Sequence, residues 1–147
     1  MIRGYLSQSA GRKRPFVQAH VTIPSLSVSG KLELLVDTGA DSTLVGPADA
    51  SDLGIDIRSL PRGATSRGVG GASETVSAEA TLTFEDRSFP LTLRVLAPQT
   101  ISQRRILHSI PSLLGRDVLS EFALFFEERT GRVLLLEPSE ADALSLP

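Results

Sequence analysis

The chain has 147 residues, 41% hydrophobic and 22% charged, which excludes a disordered chain and suits one soluble domain with a modest core. Fifteen Lys and Arg against 17 Asp and Glu give a net charge of -2, so no overall basic field argues for nucleic acid as a partner. The absence of cysteine excludes a disulfide framework, a thiolate nucleophile and a Cys-based metal site.

The first residues, Met1-Ile2-Arg3-Gly4-Tyr5-Leu6, lack the basic, apolar and small-residue order of a signal peptide. No apolar stretch approaches membrane-spanning length, and a soluble, cytoplasmic protein without a membrane segment is expected. Gly11-Arg12-Lys13-Arg14 is the one basic cluster. It is short and has no interleaved aromatics, so a solvated approach to the first strand is preferred over nucleic-acid contact.

Along the chain, period two dominates. Val17, Ala19, Val21 and Ile23 alternate with Gln18, His20 and Thr22, the pattern of a strand with one buried face. Leu32, Leu34 and Val36 predict a further strand running directly into Asp37. Pro47 and Gly54 bracket a short helix through Leu53, proline near its start and glycine after its end. Val76, Ala78, Ala80, Leu82 and Phe84 predict a strand, Glu85 to Ser88 a turn, and Phe89, Leu91, Leu93 and Val95 the returning strand of a long antiparallel hairpin. The Ala97–Ser109 connection is long and patternless.

A second helix is expected from Arg116, with Leu114, Val118 and Phe122 at four-residue spacing and Leu119 widening the stripe. Leu124-Phe125-Phe126 and Val133-Leu134-Leu135-Leu136 then flank a polar turn, as in a closing hairpin or extended segment. The Val133–Leu136 run fits either a subunit interface or an intrasubunit core. Residues 138–147 are expected to be loosely ordered unless they dock on a partner.

Within Leu35-Val36-Asp37-Thr38-Gly39-Ala40-Asp41-Ser42-Thr43, one carboxylate is followed by a hydroxyl residue and a glycine at the end of an apolar run. Read alone, Asp37 suits equally a turn in which its side chain caps local backbone donors. Two further segments change the balance. They are Gly68-Val69-Gly70-Gly71 and Ile110-Pro111-Ser112-Leu113-Leu114-Gly115-Arg116-Asp117-Val118-Leu119. Taken in order, with Arg14-Pro15-Phe16-Val17 at the start, the chain from Arg14 to Leu136 resembles the retropepsin-like, or retroviral-type, aspartic proteases. Asp-Thr-Gly is a weak motif by itself, and the specificity lies in the extended segment and the order of the three.

The resemblance implies an all-β, closed-barrel-like fold with one short C-terminal helix, spanning 14–137 between an N-terminal segment (1–13) and a C-terminal tail (138–147). It implies an aspartic endopeptidase with no metal or cofactor. The chain has no second Asp-Thr-Gly or Asp-Ser-Gly, so the other half of the site must come from another copy, a homodimer with the site at its interface. Asp37 would be catalytic and the Thr38 hydroxyl would bond across the dimer. Gly39 would let the backbone approach carboxylate and substrate. Asp41 would pair with Arg116, tying the active-site loop to the C-terminal helix. Gly39, Ala40 and Asp41, with Arg67, Gly68, Val69 and Gly70 of a glycine-rich flap, would contact an extended peptide or protein substrate. Arg67 stands where many members have a small residue. The same fold without turnover, a dimeric peptide-binding or scaffold module, is the alternative. His20 and His108 have no metal-ligand spacing and Ser42 and Thr43 no triad context, which disfavours metal-dependent and serine hydrolysis.

Overall fold

A computed structural model describes residues 1–9, 11–63, 65–68 and 71–147. In chain order the elements are Ile2–Arg3 (β1), Tyr5–Ser9 (β2), Arg12–Ile23 (β3), Val28–Val36 (β4), Leu44–Val45 (β5) and the helix Pro47–Leu53 (α1). Next come Ser66–Gly68 (β6), Gly71–Ser73 (β7), Thr75–Phe84 (β8), Arg87–Leu96 (β9) and the helix Ile101–Leu107 (α2). Leu113–Leu114 (β10), the helix Arg116–Leu119 (α3), Ala123–Glu127 (β11), Arg132–Leu136 (β12) and the helix Pro138–Asp142 (α4) complete the chain.

Seven strands form one sheet in the order β2-β3-β4-β10-β5-β9-β8, and β8 returns to pair with β3. His20, Val21 and Thr22 face Thr83, Leu82 and Thr81 in that closing ladder, so the sheet wraps on itself as a barrel. The alternation read in β3 is the reason: Val17, Ala19, Val21 and Ile23 are all buried and meet Leu82, Phe84, Leu93 and Val95 in one core. The expected β8–β9 hairpin is present in full register from Thr75 opposite Leu96 to Phe84 opposite Arg87. Its turn places Glu85 in the left-handed region at φ 41°.

A separate three-stranded sheet runs β1-β12-β11. Val133 and Leu135 of β12 are fully buried between their neighbours, so this run serves the intrasubunit core. The basic cluster starts β3 with Arg12 and Lys13 exposed, in keeping with its solvated reading. Helix α1 begins at Pro47 and ends on Gly54 at φ 77°, as proline and glycine predict.

Three features differ from the sequence expectation. The helix at Arg116 is only four residues long: Leu114 belongs to β10 and Phe122 lies past its end. Their four-residue spacing arose because a strand, a helix and a turn all present an apolar residue to one core. The patternless connection contains α2, started by Thr100, whose hydroxyl oxygen accepts from the Gln103 amide at 3.1 Å. Ile101 and Ile106 of α2 are exposed, so no apolar stripe announced it. The C-terminal residues begin with α4 rather than loose chain. Glu137 and Glu140 form a reciprocal capping box there, and the Met1 ammonium meets Glu140 Oε1 at 2.8 Å. Among the described residues no helix is long and apolar enough to cross a membrane.

Candidate active site

β4 carries the chain to Asp37 beside β10, with Leu35 and Val36 in parallel register with Leu113 and Leu114. The ladder ends on the Asp37 amide, which donates to the Leu114 carbonyl at 3.1 Å. The chain then turns. The Ala40 amide donates to the Asp37 carbonyl at 3.2 Å, and the Gly39 amide donates to Asp37 Oδ1 at 2.9 Å. Asp37 therefore does cap a local donor, and this bond orients the carboxylate. Its side chain is half-buried, while Thr38 and Gly39 are exposed.

α3 braces this loop from behind. The Arg116 amide donates to the Ala40 carbonyl at 2.8 Å, and the Asp117 amide donates to the Asp41 carbonyl at 3.1 Å. Gly115 explains the close approach: a Cβ there would stand 2.4 Å from the Ser42 carbonyl carbon, so only glycine lets the two backbones meet. The expected Asp41–Arg116 ion pair is formed. Both side chains are mostly exposed, 82% and 61%, so it is a solvated tie rather than a buried one.

The stronger tie involves residues to which the sequence assigned no role. Thr43 is fully buried, and its hydroxyl donates to Asp117 Oδ1 at 2.7 Å while its amide donates to Oδ2 at 2.9 Å. The same hydroxyl oxygen accepts from the Gly115 amide at 3.1 Å. One layer further out, Ser112 is also fully buried. Its hydroxyl accepts from the Gly46 amide at 3.0 Å and donates to Asp49 Oδ2 at 2.5 Å. Both Thr43 and Asp117 lie within the resembling segments, and that adjacency was the available signal. Nothing in the sequence linked Ser112 to Asp49, 63 positions away.

Of the expected flap, β6 and β7 form an antiparallel pair with Arg67 opposite Ala72 and Gly68 opposite Gly71. Val69 and Gly70 lie outside the described residues. A cleft of about 320 Å³ opens between the base of this hairpin and the start of the long connection, lined by Arg62, Glu74, Val76, Pro98, Gln99 and Arg104 among others. No residue of the Asp37 loop lines it.

A barrel closed by β3 and β8, with an Asp-Thr-Gly turn at the end of β4 and a short helix docked on that turn, defines a retropepsin-like aspartic protease fold. Residues 19–118 match the aspartyl protease family model, and the chain belongs to that family. The fold is similar to that of EIAV protease complexed with the inhibitor HBY-793, with 26% identity and a TM-score of 0.52 over 78% of this chain and 92% of that one. It is also similar to a retropepsin-like aspartic protease from Rickettsia conorii, with 18% identity and a TM-score of 0.51 over 82% and 81% of the two chains. A search of curated protein sequences found no significant match.

Proposed function

We propose that two copies of this chain form a symmetric homodimer in which the Asp37 carboxyls face one another and hydrolyse peptide bonds. The observation that carries this reading is the single Asp-Thr-Gly per chain, on a loop held by Gly39, Leu114, Gly115 and α3. Membership of the aspartyl protease family and the likeness to EIAV protease support it.

Two carboxyls within hydrogen-bonding reach cannot both ionise cheaply, so the pair holds one shared proton; aspartic proteases are the known example of such a pair. The ionised member takes a proton from water as that water attacks the scissile carbonyl. The protonated member hydrogen-bonds the developing oxyanion. Because the groups titrate together, neither Asp37 owns a private pKa until substrate breaks the symmetry. Thr38 would join the two loops across the dimer, and Arg67, Gly68, Val69 and Gly70 would close over a peptide bound largely through its main chain.

Cleavage of a peptide library between mildly acidic and neutral pH, compared for the parent and Asp37→Asn, tests this. Cleavage lost in a variant that remains folded and dimeric is the expected result. A parent dimer that binds peptides and cuts none across that range would make the chain a binding module instead.

A further inference from the structure

The cleft at the base of the β6–β7 hairpin is built on the start of β8, which holds a wall on either side. Along one side the Gly63 amide donates to the Thr75 carbonyl at 2.7 Å, the Ser77 amide donates to the Pro61 carbonyl at 3.0 Å, and Arg62 bridges Val76. On the other side the Ala97 amide donates to the Glu74 carbonyl at 2.9 Å. α2 is fastened to this second wall. The Gln99 side-chain amide donates to the Ala97 carbonyl at 2.9 Å, and the Gln99 backbone amide donates to Gln103 Oε1 at 2.8 Å. Both walls therefore hang from one strand, and the space between them is formed before any ligand arrives.

Three guanidiniums and one carboxylate line this cleft, Arg58, Arg62 and Arg104 against Glu74, in a chain whose net charge is -2. The positive field is local. Arg58 meets Asp56 at 3.2 Å within its own turn, and Arg62 lies 3.8 Å from Glu74. Arg104 has no acidic partner among the described residues. Beside these cations Ile57, Leu60, Val76, Ala97 and Pro98 supply apolar surface.

The lining decides what fits. It contains no aromatic side chain, so a nucleic-acid base has no stacking platform. A lone phosphate would leave the apolar surface and most of the roughly 320 Å³ unused. A stretch of polypeptide meets both demands, with an apolar side chain against Leu60 and Val76 and neighbouring carboxylates on the guanidiniums.

We infer that this cleft binds an acidic stretch of the peptide substrate, Asp or Glu residues beside an apolar one, with Arg104 as its principal specificity-determining residue. The inference rests on the peptidase reading above and narrows its substrates. No residue of the Asp37 loop lines the cleft, so the acidic stretch flanks the scissile bond rather than containing it. A peptide held there and under the β6–β7 hairpin is anchored at two points. The second contact raises the effective concentration of the scissile segment and lowers KM.

Fluorescence anisotropy of a labelled Glu-rich peptide with one Leu, and of its Gln counterpart, reads binding without cleavage on the full-length Asp37→Asn protein. The Glu peptide should bind more tightly, and added salt should weaken it. Arg104→Gln in that background should weaken it roughly 5-fold, the scale of one exposed charge pair. Arg105→Gln removes the same charge one position along α2, outside the cleft lining, and should leave the affinity unchanged. In the cleaving protein, the preference in kcat/KM for acidic-flanked over Gln-flanked substrates should fall by a similar factor with Arg104→Gln, carried by KM. Equal effects of Arg104→Gln and Arg105→Gln, or displacement of the Glu peptide by inorganic phosphate at constant ionic strength, overturn the cleft assignment and leave peptide hydrolysis standing. A parent dimer that binds the Glu peptide through Arg104 and cuts no peptide overturns hydrolysis and leaves the cleft as a binding site.

Discussion

Asp117 receives both polar groups of Thr43, the hydroxyl at 2.7 Å and the amide at 2.9 Å, across 74 positions of sequence. This bidentate contact joins the chain leaving the Asp37 turn to the helix that supports it. It also fixes the Thr43 hydroxyl so that its oxygen can accept from Gly115.

Asp117→Ala should therefore loosen the Asp37 loop as well as the fold. It leaves a buried amide and hydroxyl without their acceptor, at a cost of about 1–3 kcal/mol in urea unfolding. Peptide cleavage should fall with it, and Asp117→Asn, which keeps one acceptor oxygen, should fall less. Parent-like stability for Asp117→Ala would show that Thr43 finds water instead.

Arg116→Ala should behave differently although its partner Asp41 lies in the same loop. Both side chains are largely exposed, and an exposed pair is worth about 0–1 kcal/mol. Denaturation in low and high salt checks this. A loss as large as that of Asp117→Ala would mean that the ion pair carries more of the loop than its exposure allows.

Gly115→Ala introduces a methyl group 2.4 Å from the Ser42 carbonyl carbon, and both contacting segments are backbone. Overpacking of this kind costs about 1–3 kcal/mol. Because Ser42 must move, kcat/KM should drop further than the stability loss alone explains, measured on protein that remains folded at the assay temperature.

Tyr5 is the only tyrosine, and the chain has no tryptophan, so its phenol can be followed by absorbance alone. Burial pushes its pKa up to about 12, with the Glu33 carboxylate nearby adding to the rise through its charge. The buried hydroxyl is in no well-formed hydrogen bond among the described residues. A raised pKa means stability that is complete below the unfolded value of 10.0 and is lost as pH climbs toward 12. A native titration midpoint near 10 would show that β2 does not cover this ring against Phe16, which stacks on it at 6.1 Å.

Much of this molecule was legible before its structure. Alternating residues in β3, β8 and β9 specify their buried faces without reference to anything else, because a strand's period of two is local. Pro47 and Gly54 mark α1 for the same reason. The Asp-Thr-Gly turn and the Gly-Arg segment pointed to a site and to its supporting helix. What stayed hidden depends on who meets whom. The stripe of Leu114, Val118 and Phe122 overstates α3 because residues from three kinds of element share one apolar surface, and α2 shows no stripe because its isoleucines face solvent. Thr43 with Asp117, and Ser112 with Asp49, are brought together by β10 lying between β4 and β5, a placement that local pattern does not encode. The amino-acid order determined that each chain carries a single Asp-Thr-Gly, at the end of a buried strand. Only the tertiary structure decided which groups brace that turn, since hydrogen-bond partners far apart in sequence are properties of the assembled sheet.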